Sequence, residues 1–329
     1  MKIRWLVLGL GVVGLLVPAL MLTGTRILEP DGGRGIRLVS FIPYAIVLYA
    51  LALALLLVAL AAGRGTGRRA SGWLSALVLP LLGLHVLWVS DQYVGPEETA
   101  SQGATFTVMA ANLSYGDADP VRVAELVREH DVDVLVLSEI TPRALSAMQR
   151  TGLGRTFPHS AGKAGPGVSG TMVFSGQKLS AVHALDTSFE GFSMDVRMPR
   201  GKVHLLAVHP PPPTGDATQW LADHATIRRA AVTASGPTMI AGDLNATRDH
   251  QPIRELSGRG FADAVEQANS GWQPTWPASG EVALFGIPVP PMLAIDHVLV
   301  NDGLGVIDTE ATSIAGTDHR ALFATLVLR

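Results

Sequence analysis

Three stretches near the start of the chain lack any alternation of apolar and polar positions. Trp5 to Thr25, Leu38 to Ala62 and Trp73 to Ser90 carry no charged side chain. A helix needs ~20 apolar residues to cross a hydrocarbon core, and the third run is near the lower limit. Trp73 and Trp88 bracket that third run as interfacial aromatics do. A cleaved signal peptide followed by buried core helices would also give apolar runs. The length of the second run and the succession of three argue against that, and no small-residue cleavage site follows the first. The pattern predicts three transmembrane helices within residues 1–90.

The rhythm then changes. Residues 91–103 are polar with Gly and Pro, and read as a short linker. From residue 104 to 329, short β-like runs alternate with helical ones. "TFTVMAANL", "VDVLVLSEI", "GTMVFS", "SMDVRM", "KVHLLAVH", "TMIAGDLN", "IDHVLV" and "RALFATLVL" read as strands. "DPVRVAELVREHD" reads as a helix with Asp119 as its cap, Pro120 in its first turn and an apolar face of Val121, Leu126 and Val127. "ATQWLADHATIRRAAVTAS" reads as a second helix. About ten strands and a few helices predict a layered α/β domain with its sheets packed inside.

Composition sharpens the division. Mean hydropathy is +0.31 and only 16% of residues are charged, with the apolar excess in the first ninety residues. Lys2, Arg4, Arg64, Arg68 and Arg69 flank one side of the predicted spans, against Arg26, Arg34 and Arg37 on the other. The segment after the third span, Asp91 to Gln102, adds Asp91, Glu97 and Glu98 and no Lys or Arg. The bias predicts an internal N-terminus and an extracytoplasmic domain after three crossings. Cysteine is absent, so disulfides play no part and thiolate metal sites are excluded.

The apolar strands end on polar residues. Asn112 ends one, Glu139 follows Ser138 at the end of another, and His209 closes a third. Asp243 and Asn245 stand two apart in "GDLN", Asp296 opens "IDHVLV", and Asp318 and His319 precede the last strand. Residues i and i+2 of a strand share a face, so Asp243 and Asn245 would project together. In α/β architectures ligands gather at strand ends. Carboxylate and amide oxygens with imidazoles and no thiol suit a Mg²⁺- or Mn²⁺-assisted hydrolase.

On these residues ("AANLS", "LSEI", "AVHPP", "GDLN", "IDHV" and "TDHRAL", in that order) the chain resembles the endonuclease/exonuclease/phosphatase superfamily of DNase I-like nucleases, sphingomyelinases and inositol-phosphate phosphatases. The resemblance covers residues 104–329. It implies a four-layer α/β sandwich with two central, mostly antiparallel sheets. It also implies a Mg²⁺ bound by Glu139 with Asn112 and Asp318. Asp243 would orient or deprotonate the attacking water, and Asn245 would hold a phosphoryl oxygen. His319, oriented by Asp296, and His209 would be the two imidazoles at the phosphate. His297 is expected to be an ordinary strand residue, and the Gly-rich stretch from Gly162 to Thr171 a loop leading into a strand.

Two features bear on the substrate. From residue 101 onward, 17 basic residues face 23 acidic ones, a net of −6. Duplex binding leans on basic side chains, so nucleic acid is not the expected partner. "WPASGEVALFGIPVPPMLAID", Trp276 to Asp296, is almost uncharged and holds Val282, Leu284, Phe285 and Ile287. It is either a loop packed on the core or an apolar lip beside the site, suited to an acyl or prenyl chain. Three spans followed by an external domain of this superfamily also resemble the actinobacterial teicoplanin-resistance membrane proteins of the VanJ type. That likeness implies undecaprenyl phosphate or pyrophosphate and a cell-envelope role. A sphingomyelinase-like phosphodiesterase, an extracytoplasmic nuclease and a non-catalytic receptor on a degenerate fold are the alternatives. The complete set of site residues argues against the last.

Overall fold

The computed structural model describes residues 2–95, 105–278, 280 and 283–329. Most of the expected linker, 96–103, lies outside the described residues, as does Val282. The chain forms two compact units, Met1–Asp91 and Gln92–Arg329.

The first unit holds α1 (Lys2–Leu28), α2 (Gly33–Val39), α3 (Ala45–Ala62) and α4 (Gly65–Ser90). Ile3–Leu28, Ile42–Ala62 and Gly65–Ser90 are each long and apolar enough to cross a membrane. The second apolar run is not one helix. α2 ends at Val39, a 3₁₀ turn at Ile42–Tyr44 contains Pro43, and α3 starts after it. Proline lacks the N–H that a continuous helix would need there. The Thr23 hydroxyl joins the three long apolar helices, lying 2.7 Å from the Tyr49 hydroxyl and 2.9 Å from His85 Nε2. In an apolar surround such polar atoms need partners from neighbouring helices.

The second unit runs β1 (Thr105–Asn112), α5 (Pro120–Glu129), β2 (Val132–Ser138), α6 (Pro142–Arg150), α7 (Leu153–Thr156), β3 (His159–Lys163), β4 (Thr171–Ser175), β5 (Leu179–Ala184), β6 (Phe192–Met198), β7 (Gly201–Ala207), α8 (Ala217–Thr233), β8 (Thr238–Asp243), α9 (Gln251–Ser257), β9 (Phe261–Asp263), α10 (Ala264–Gln267), β10 (Ala283–Leu284), β11 (Ile287–Pro288), β12 (Asp296–Asn301), β13 (Leu304–Ser313) and β14 (Arg320–Leu328). One six-stranded sheet has the order β13-β14-β1-β2-β4-β3, and the other β5-β6-β7-β8-β12-β9. Two neighbouring pairs, β1–β2 and β7–β8, are parallel and the rest antiparallel.

Strand alternation explains the layers. Val108, Val134 and Val173 of the first sheet meet Met194, Leu205, Met239 and Val298 of the second in one core. Their neighbours Met109, Leu135 and Leu137 point the other way, onto Val123 and Leu126 of α5 and Met148 of α6. α8 covers the far face of the second sheet with Trp220 and Ile227 buried. The result is helix, sheet, sheet, helix, the DNase I-like sandwich. α5 starts as its sequence dictates, with the Asp119 carboxylate accepting from Val121 N–H at 2.9 Å and Pro120 in the first turn.

Gln92 is buried and its carbonyl accepts from Gly271 N–H at 2.8 Å. Gln92 is thus part of the second unit.

Candidate active site

The side chains of the site come from strand ends of both sheets. β1 and β2 are parallel, so Asn112 and Glu139 emerge side by side. Asp243 closes β8 opposite Asp296, which opens the antiparallel β12. His209 follows β7, parallel to β8, and His319 precedes β14, antiparallel to β1. With the two sheets stacked, these ends meet at one edge of the sandwich.

Asp243, buried, is the hub. Its Oδ1 accepts from the Asn245 backbone N–H at 2.8 Å, and its Oδ2 from Asn112 Nδ2 at 2.9 Å. His209 Nε2 lies 3.5 Å and His319 Nε2 3.8 Å from the same Oδ2. On its other side His319 Nδ1 is 2.9 Å from Asp296 Oδ2. Thr317 sets this ring: its hydroxyl donates to the Asn112 carbonyl at 2.8 Å and accepts from His319 N–H at 3.1 Å.

These contacts tune protonation in opposite directions. Burial by itself lowers the His319 pKa, but the Asp296 and Asp243 charges outweigh it and push it up to about 10. His319 is therefore an imidazolium between two carboxylates. Burial lowers the pKa of His209, so this ring is neutral at pH 7. Burial, then the neighbouring Asp296 charge, raises the Asp243 carboxyl.

Glu139 sits at the rim in the left-handed region, φ 57°. Its Oε1 accepts from Asn112 Nδ2 at 3.1 Å and its Oε2 from Tyr115 N–H at 2.7 Å. Burial, aided by the like charge of Asp318, raises its pKa against those two hydrogen bonds. Asp318 Oδ2 accepts from Trp276 Nε1 at 2.9 Å. Glu139 and Asn112 are hydrogen-bonded neighbours and Asp318 is near enough for its charge to act on Glu139, a set whose carboxylate oxygens suit a hard divalent cation. A second group, Asp243, Asp296 and His319, has ligand atoms all within 4.8 Å of one another. Asp296 Oδ1 is buried with no hydrogen-bond partner among the described residues, a lone acceptor that a cation or donor would satisfy.

Two amides are oriented differently from a simple ligand picture. Asn112 turns its NH₂ to the carboxylates while its oxygen accepts from Ser114 N–H at 2.9 Å. Asn245 directs its NH₂ at the Pro210 carbonyl, 3.0 Å, and at Asp243, 3.4 Å. A phosphoryl contact by Asn245 would exchange one of these.

The glycine of "GDLN" is required by a close approach. Gly242 has φ 139°, and a Cβ there would lie 2.1 Å from the Val208 carbonyl. This contact draws His209 against Asp243. The Gly-rich stretch supplies the end of β3, a tight loop and the start of β4. A Cβ on Gly170 would lie 2.1 Å from the Ile140 carbonyl, so the loop closes on the turn bearing Glu139. Lys163 pairs with Glu190 at 2.6 Å.

The sequence reading missed a set of supporting rings. Three successive carbonyls beyond Asp243 each face a buried ring nitrogen. Leu244 O is 3.0 Å from His224 Nε2, Asn245 O accepts from Trp220 Nε1 at 3.2 Å, and Ala246 O is 2.8 Å from His297 Nε2. His297 is further fixed by Asp263 at 2.5 Å. Alternation along β12 was the available signal: a residue next to Asp296 must point to the opposite face.

A family model described as Endonuclease/Exonuclease/phosphatase family matches residues 109–319. No curated protein sequence matches the chain. Among solved structures, D. rerio TDP2 complexed with a single-strand DNA product superposes with TM-score 0.57 at 12% identity, covering 68% of this chain and 99% of that one. TDP2 from Caenorhabditis elegans gives 0.56 at 18% identity, covering 77% and 81%. The 3′ phosphatase NExo from Neisseria, bound to a product DNA hairpin, gives 0.52 at 18%, covering 67% and 98%. At these identities the likeness is one of fold.

Proposed function

We propose, from the premise that the chain belongs to the endonuclease/exonuclease/phosphatase family, that its second unit is a membrane-anchored, extracytoplasmic, metal-dependent phosphoesterase acting on a lipid-linked phosphate or pyrophosphate. The observation that carries the reaction class is the buried cluster of Asp243, Asp296, His209 and His319 beside Glu139. It joins a carboxylate of raised pKa to a protonated and a neutral imidazole.

A Mg²⁺ or Mn²⁺ held by Glu139, Asn112 and Asp318 would polarise a phosphoryl oxygen and offset transition-state charge. Asp243 would orient or deprotonate the attacking water, its raised pKa bringing it nearer to a base suited to neutral pH. His319 would donate from Nε2 to a phosphoryl oxygen, with Asp296 holding Nδ1 and keeping the proton in place. His209, neutral, would be the second imidazole at the phosphate. Asn245 would contact the phosphoryl group from beside Asp243.

The substrate class rests on the segment before Asp296. Leu284, Phe285 and Ile287 are 61%, 95% and 70% exposed at the β10–β11 hairpin. Such a cluster of exposed large apolar side chains favours an acyl or prenyl chain over the packed-loop alternative. The excess of acidic over basic residues beyond residue 101 disfavours duplex binding. Undecaprenyl pyrophosphate meets these demands, and with it a cell-envelope or glycopeptide-resistance role of the VanJ type. A nuclease is the second reading, favoured by the DNA products in the TDP2 and NExo structures.

The test is phosphate or product release by the purified full chain, with and without Mg²⁺. The substrates are undecaprenyl pyrophosphate, undecaprenyl phosphate, sphingomyelin and plasmid DNA. Mg²⁺-dependent turnover of a polyprenyl substrate is the expected result. Turnover of plasmid DNA alone would replace the lipid reading with the nuclease one, and inactivity on all four would remove both.

A further inference from the structure

The membrane-spanning unit has a cleft that plays no part in the proposed catalysis. α1 and α4 each pack along α3, and at the end where α1 begins and α3 passes into α4 they leave a cleft of about 820 Å³. It lies within the size range of ligand-binding pockets. Its width comes from small residues, Gly9 on α1, Ala59 on α3, Gly63 in the turn after it and Gly67 on α4. Most of the remaining wall is apolar. Arg64 stands in its lining, at the turn between α3 and α4.

The charge at this end is one-sided. Arg4, Arg64, Arg68 and Arg69 all lie at the ends of helices that meet here. The acids of residues 1–91 are Glu29, Asp31 and Asp91, and each follows or precedes the opposite helix ends. Among the described residues no carboxylate pairs with Arg64, Arg68 or Arg69. An apolar cleft with an uncompensated cationic mouth is complementary to an amphiphile with an anionic head. A zwitterionic head would bring its own cation to the same mouth.

We infer that this cleft is a binding site for an anionic phospholipid, one acyl chain lying between α1 and α4 and the phosphate held by Arg64. The site is separate from the catalytic cluster and does not depend on the reaction assigned to it. It gives the spanning unit a preference for the leaflet richest in acidic lipid.

The test uses the full chain in detergent and follows thermal unfolding with added phosphatidylglycerol or phosphatidylcholine of matched chains. Ligands that bind the folded state raise the melting temperature. Phosphatidylglycerol should stabilise more, with an affinity advantage of roughly fivefold for one arginine near the headgroup. Arg64→Gln should remove that advantage. Gly67→Leu is a second variant that tests the chain's seat: a Cβ at Gly67 meets nothing within 4 Å, so the added side chain enters free space. It should abolish the response to both lipids without lowering the lipid-free melting temperature. Equal stabilisation by the two lipids would overturn the proposal. So would a phosphatidylglycerol advantage that survives Arg64→Gln, or a lipid response that survives Gly67→Leu.

Discussion

Replacing Asp296 by Asn should remove most of the pH-dependent stability that His319 carries. The His319 pKa stands at about 10, against an ordinary 6.5. A folded-state pKa above the unfolded one stabilises fully below the unfolded value, and the gain is lost as pH rises through the folded value. The window is therefore pH 6.5 to about 10. At 1.36 kcal/mol per unit the whole effect is ~5 kcal/mol. Asp296, 2.9 Å from Nδ1, is the larger of the two carboxylate contributions, ahead of Asp243 at 3.8 Å. Its loss should remove more than half, ~3 kcal/mol at pH 7. For a unit of this size that is a fall of roughly 6–12 °C in melting temperature. Asn keeps the shape and an acceptor oxygen, so the change reports charge. The assay is thermal melting of the full chain in detergent with chelator, at pH 7 and pH 9.5. Wild type should lose most of its advantage over Asp296→Asn at the higher pH. His297, raised by Asp263 against its burial with a smaller push from Asp296, titrates in both proteins, so most of its contribution cancels in the difference. Equal melting at pH 7, or a gap that does not close by pH 9.5, would refute the account of His319 as an imidazolium between two acids.

Glu139→Ala and Asp243→Ala should each cut turnover by about 10²-fold or more with the fold retained, and chelation of the metal should do the same. Full phosphate release by folded Asp243→Ala would exclude its role as the base. The triple change of Leu284, Phe285 and Ile287 to Ser should lower kcat/KM on a polyprenyl pyrophosphate while sparing a soluble aryl phosphodiester, since each lost methylene contact is worth ~0.8 kcal/mol. A parallel fall on both substrates would make the hairpin a structural element and not a lip. A reporter active only outside the cytoplasm, fused after Arg329, should be active. Signal from a cytoplasmic reporter at that position would reverse the topology.

The spans and the site were legible for related reasons. An apolar run without charge announces a helix long and apolar enough to cross lipid, and an apolar strand that stops at Asp243 or Asn112 announces a polar end. β13, β5 and β3 carried no such mark. β5 is mostly exposed, and β13 mixes Asp308, Thr309 and Glu310 into its length, so neither shows a clean apolar face. The apolar face of Leu284, Phe285 and Ile287 left two outcomes open, because a loop that packs and a hairpin that protrudes have the same composition. The rings of Trp220, His224 and His297 converge from three elements far apart in the sequence. Only pairing of β8 with β12 and packing of α8 bring them to one loop.

β1 lies between β2 and β14, and its antiparallel partner is the segment 320–328. The middle of one sheet is therefore completed by residues synthesised more than two hundred positions later. His319 arrives with that same segment. During biosynthesis the three long apolar helices emerge while the second unit still lacks its central pairing. Until residue 328 has emerged, β1 has an open edge and Asp243 has no imidazolium beside it. Any product truncated before β14 would keep the three long apolar helices yet lack both the strand that completes the sheet and the ring that stands between Asp243 and Asp296.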